Sequence, residues 1–119
     1  MERIFVGVAR VALGIPGARS LKDRRQNVRS VVDRMRNKYN VTVAEVGDSD
    51  YPGRHTLVLT TGGNDGGLIR SILDRCVDLC HGSGRVLVHA VDVDVFRWQA
   101  DLQRWPDADE FGSSEERDE

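Results

Sequence analysis

Ala9-Arg-Val-Ala-Leu-Gly-Ile-Pro-Gly-Ala-Arg-Ser-Leu-Lys-Asp23 is the stretch in which the hydrophobic period of this chain changes. Up to Ile15, apolar side chains at Ala9, Val11, Leu13 and Ile15 alternate with Arg10, Ala12 and Gly14. Side chains of a strand point alternately to its two faces, so this pattern predicts a long strand over residues 3–15. Pro16-Gly17 breaks it, and Ser20 with Asp23 three residues on forms a start signal like a capping box. The hydroxyl can accept from an early helix amide while the carboxylate favours the positive end of the helix. From there the period is that of a helix: Leu21, Val28, Val31, Val32, Met35 and Tyr39 fall within an arc of about 100°, an apolar stripe suited to packing on a sheet.

The same reading extends outward. Asn40 can end the helix, and residues 41–46 alternate as a second strand that runs into the turn-rich Gly47-Asp-Ser-Asp-Tyr-Pro-Gly53. Arg54 to Thr61 makes a third strand, close enough to the second to be a hairpin with an enlarged loop. Gly62-Gly-Asn-Asp-Gly-Gly67 is a breaker, followed by Leu68, Ile69, Ile72, Leu73, Cys76, Leu79 and Cys80 on one helical face, with Asn64 or Asp65 as N-cap and an end near His81-Gly82. Arg85 to Trp98 sets Leu87, Val91, Val93 and Val95 against Asp92 and Asp94, a last strand with one wet face. The order β-α-β-β-α-β predicts an α+β, ferredoxin-like sandwich: a four-stranded antiparallel sheet with both helices on one face. The other sheet face would be open. Its expected lining is Val6, Val8, Arg10, Ala12, Thr42, Ala44, Val88, Ala90 and Asp92, small and partly apolar, which predicts a partner and most simply a homodimer.

The 119 residues suit one domain, and 39% hydrophobic with 30% charged residues supports a core. No apolar run reaches the roughly 18 residues of a spanning helix, and Met1-Glu2-Arg3 does not open a signal peptide, so a cytoplasmic location is expected. Two cysteines four residues apart on a helical face are not a disulfide framework. Charge is uneven. Arg19 to Lys38 carries 8 bases against 2 acids, whereas residues 100–119 carry 2 bases against 8 acids. The expected organisation is a domain over residues 1–98 and an acidic tail over 99–119. From about residue 106 the tail has too little apolar surface to order itself.

Ile15-Pro-Gly-Ala-Arg-Ser-Leu-Lys-Asp-Arg-Arg25, then Val43-Ala-Glu-Val-Gly-Asp48, then Asn64-Asp65 before the second helix, resembles the YlxP-like, or DUF503 domain, family over about residues 3–96. The resemblance implies the ferredoxin-like fold. It also implies a role in translation or small ribosomal subunit maturation, because genes of that family tend to sit beside those for translation initiation and ribosome-binding factors. It implies no catalytic residues. The glycine-rich lead into the second helix and the acidic tail depart from the family pattern.

The first helix carries the best functional signal. Lys22, Arg25, Arg29 and Arg36 lie within about 60° on one flank of the apolar stripe, where their stems can cover its edge while their heads stay in water. Arg19 precedes the cap, near helix-terminal amides that could bind a phosphate. Guanidinium groups along a ridge suit phosphate oxygens whatever the base sequence, so Arg19, Lys22, Arg25, Arg29 and Arg36 are the expected RNA-binding residues. The bland alternative is a solvated helix in which Asp23 and Asp33 supply local ion pairs.

Other motifs read as structure. Gly62 to Gly67 lacks the Lys-Ser/Thr of a phosphate loop and the spacing of a dinucleotide fingerprint. Cys76 and Cys80 sit on the apolar face, where free cysteine packs as a small hydrophobe, so beside His81 they predict no metal. Glu45, Asp48, Asp50 and His55 gather near the hairpin loop and could hold a divalent ion or act as acid and base, but turn chemistry explains the aspartates. His89 stands alone on a strand. The chain is therefore expected to be a noncatalytic accessory protein of translation that binds ribosomal RNA or a ribosomal subunit without a cofactor. Two alternatives remain: a regulatory or scaffolding homodimer using the open sheet face, and an acylphosphatase-like enzyme. The second lacks that chemistry's glycine-rich loop with Phe-Arg.

Overall fold

The computed structural model describes residues 3–47 and 50–99. The elements are β1 (Phe5–Gly14), α1 (Leu21–Lys38), β2 (Thr42–Val46), β3 (Arg54–Gly63), α2 (Gly66–Gly82) and β4 (Leu87–Arg97). All neighbours in the sheet are antiparallel, in the order β2-β3-β1-β4. This is the ferredoxin-like sandwich, with both helices on one face. The expected acidic tail from residue 100 lies outside the described residues.

Each boundary has a local cause. Pro16 and Gly17, the latter at φ 77°, turn the chain out of β1. Ser20 is the N-cap of α1: its hydroxyl accepts from the Asp23 amide at 3.1 Å, and the Asp23 carboxylate accepts from the Arg19 amide at 3.1 Å. The helix ends at Lys38, with Tyr39 already extended and its amide donating to the Met35 carbonyl. Asp65 caps α2 by accepting from the Leu68 amide.

The core lies between helices and sheet. Ala9, Val11 and Leu13 of β1 meet Leu57 and Leu59 of β3, Val28, Val31, Val32 and Met35 of α1, and Ile69, Leu73, Cys76 and Cys80 of α2. Met35, Leu57, Leu59 and Leu73 have no exposed surface, and each such side chain contributes on the order of 1.5–3 kcal/mol by leaving water. Gly7 lets α2 approach the sheet: a Cβ there would run into Ile69 and lie 2.9 Å from Leu73 Cδ1. Leu21 and Leu68, expected in the two helical stripes, are 39% and 56% exposed because each sits in the first turn, beyond the edge of the sheet-facing core.

One strand departs from simple alternation. Pairing of β1 with β4 shifts between Ala12, which faces Ala90, and Leu13, which faces Val88. His89 is the extra residue of this bulge, and its imidazole fills the space a side chain at Gly14 would need. The bulge reverses the facing of everything before it. Val88 packs against the core rather than lining the open face as expected, and Leu87 is left 55% exposed.

Candidate functional site: the basic face of the first helix

Four buried side chains, Val28, Val31, Val32 and Met35, fix how α1 is rolled against the sheet and therefore where its cations point. Lys22, Arg25, Arg29 and Arg36 are all exposed and share the flank that runs along the β2 edge of the sheet. The position of that flank is marked by Arg36, whose guanidinium donates to the Val43 carbonyl on edge strand β2 at 2.9 Å. Arg36 thus covers part of a sheet edge, while Lys22, Arg25 and Arg29 make no ion pair among the described residues. Asp23 is occupied at the cap and Asp33 pairs with no cation among the described residues, so there these two acids do not supply the local ion pairs of the bland alternative.

Arg19 is placed differently. It is exposed in the loop before α1, but its own amide is taken by the Asp23 carboxylate, which occupies the position an incoming phosphate would use at the helix start. Arg24 falls within the arc of the stripe itself, donates to the Tyr51 and Arg54 carbonyls and ties α1 to the β2–β3 hairpin.

Sequence reasoning missed a second group of cations. Arg34 and Lys38 of α1 face Arg75 of α2 across an open groove of about 930 Å³, with Tyr39 and Asp78 also on its walls. Lys38 Nζ lies 5.7 Å from the Tyr39 ring centroid, a cation–π contact. Arg34 and Lys38 were readable as the other flank of the α1 stripe; their approach to Arg75 depends on the packing of two helices distant in sequence. The helix layer therefore carries cations on both flanks of α1, while Asp92 and Asp94 belong to the sheet side.

The structure brings two of the remaining polar candidates together. Glu45 Oε1 and His55 Nε2 are 2.7 Å apart, with the imidazole only 10% exposed, so these two are brought together across β2 and β3. Asp50 is exposed in the loop, and Asp48 lies outside the described residues. Among the described residues no group of three metal-ligating side chains forms. Cys76 and Cys80 are buried, and burial pushes their thiols up to about 11 and about 12, where they hold their protons and stay unreactive. No described helix is long and apolar enough to cross a membrane.

Comparison with solved structures returns matches at low identity and low structural overlap. SnoaB, a cofactor-independent oxygenase from Streptomyces nogalater, is 8% identical with a TM-score of 0.44, over 86% of this chain and 99% of that one. PA3566 from Pseudomonas aeruginosa is 13% identical with a TM-score of 0.45, over 84% and 98%. A de novo designed protein with ferredoxin fold is 15% identical with a TM-score of 0.39, over 89% and 93%. No curated protein matches the sequence. The family comparison does: the profile described as "Protein of unknown function (DUF503)" matches residues 6–93, from β1 into β4, and the chain belongs to the DUF503 family.

Proposed function

We propose that this protein is a noncatalytic, cytoplasmic accessory factor of translation or small-subunit maturation that binds RNA phosphates through α1. The observation that carries the reading is the row of exposed cations Lys22, Arg25 and Arg29, unpaired among the described residues, with Arg36 beside them, on a helix whose own two acids do not pair with them. A helix that kept its charge only for solubility would gain by i,i+4 pairing, as Arg70 and Asp74 do on α2 at 3.5 Å. Unpaired guanidinium groups instead retain their donors for an external anion, and a planar fork suits phosphate oxygens in pairs. Contacts of this kind hold a polyanion without reading its bases, which fits a factor that recognises folded RNA by its backbone.

Cosedimentation of the full chain with small ribosomal subunits at low and moderate salt tests the proposal. Binding that is present at low salt and falls steeply as salt rises supports it. Absence of binding at low salt, or binding indifferent to salt, would remove phosphate contact as its basis.

A further inference from the structure

The side of the sheet away from the helices is a regular lattice. Reading across β2, β3, β1 and β4, its rows are Thr42–Thr60–Val8–Asp94, Ala44–Val58–Arg10–Asp92 and Val46–Thr56–Ala12–Ala90. Its middle is aliphatic and threonine-rich. The Thr42 and Thr60 hydroxyls are hydrogen-bonded to each other, and Arg10, the face's one cation in these rows, is paired with Asp92 at 3.4 Å. The two carboxylates both stand on β4, at the sheet margin, so covering the face leaves no unpaired charge at its centre.

We infer that this face is covered by the same face of a second copy of the chain. Small and β-branched side chains make the surface flat, and two flat sheets pack at about 10 Å with their inner faces in contact. Four strands at about 4.8 Å spacing and seven residues at about 3.3 Å rise project roughly 450 Å² per copy, so two copies cover about 900 Å², just under the roughly 1,000 Å² of a stable specific interface. That size corresponds to a reversible dimer at micromolar concentration rather than an obligate one. With Asp92 and Asp94 balanced by Arg10 and Arg54, the face has no net positive charge to draw a polyanion. Edge-to-edge pairing is disfavoured at both margins: Arg36 covers part of β2, and the bulge at His89 interrupts β4.

The geometry has a consequence for the helices. Sheet-to-sheet stacking turns both helix layers outward, with the two α1 ridges about 30 Å apart, three layer spacings of about 10 Å, on opposite sides of the dimer. One dimer would then present two independent polyanion-binding surfaces.

Sedimentation equilibrium of the full chain without RNA tests this separately from any nucleic-acid role. The mass should rise from 13.3 kDa toward twice that value between about 5 and about 500 μM. Val58→Asp and Ala44→Glu, both on the face, should each weaken association at least about tenfold by placing a carboxylate in the contact, while Arg25→Glu on α1 should leave it unchanged. Ala44 is exposed, so its variant keeps the fold if Val58→Asp does not. A monomer at every concentration overturns the inference. So does a dimer that Ala44→Glu leaves as tight as the parent, which would place the contact at an edge or on the helices.

Discussion

Reversing two charges on the α1 ridge gives a number to test. With Lys22, Arg25 and Arg29 free of ion pairs among the described residues and Arg36 partly engaged by Val43, the parent offers three to four phosphate contacts. For single-stranded RNA each contact adds about −0.7 to the slope of log affinity against log salt, so the parent slope should lie between about −2 and about −3. Going from about 50 to about 200 mM salt should weaken the parent roughly 20- to 50-fold. Arg25→Glu with Arg29→Glu leaves two contacts at most, a slope no steeper than about −1.4, and a loss of only about 7-fold over the same range. At the lower salt the variant should bind at least about tenfold more weakly. Neither residue is buried, so circular dichroism and the melting temperature should stay near the parent's. Fluorescence anisotropy with a labelled single-stranded RNA measures both slopes. Equal affinity and equal slope for parent and variant would refute the assignment of this ridge.

Three further outcomes test the fold that presents it. Gly7→Val should destabilise the protein by about 1–3 kcal/mol in urea titration, since the new side chain meets Ile69 and Leu73, while the exposed Gly82→Val should show no such clash. Ser20→Ala should cost about 1 kcal/mol through loss of the bond from the Asp23 amide, and it should loosen the first turn of α1 in hydrogen exchange. The two thiols should react with a disulfide reagent at pH 8 only after unfolding. Their folded pKa values, raised to about 11 and about 12 from 9.0, mean that above about pH 9 the unfolded chain loses thiol protons that the folded chain keeps, so stability should fall from about pH 9 upward.

Element order and type were legible in the chain because each element carries its own period and its own punctuation. Ala9 to Ile15 alternates, Val28 to Met35 repeats at helical spacing, and Pro16-Gly17, Ser20 and Asp65 mark the boundaries chemically. The β4 bulge was not legible. One extra residue at His89 reverses the facing of Val88 and Leu87, and only pairing with β1 reveals it. The flank of α1 holding Lys22, Arg25, Arg29 and Arg36 follows from helical geometry alone, but the division of labour within it does not. Arg36 is committed to the Val43 carbonyl and the Arg19 amide to Asp23, through contacts that exist only once the chain is folded. The Arg34, Lys38 and Arg75 groove depends likewise on how α1 and α2 meet.

Direct mapping of the RNA contact tests the central claim most closely. Amide chemical shifts of the isotope-labelled full chain should be followed at low salt as a short single-stranded RNA is added. The largest changes should fall on α1 around Lys22, Arg25 and Arg29 and vanish on adding salt, with β1 and β3 residues of the open face, such as Val8 and Val58, unmoved by the RNA. Shifts concentrated on the open face, or none at saturating RNA, would contradict it.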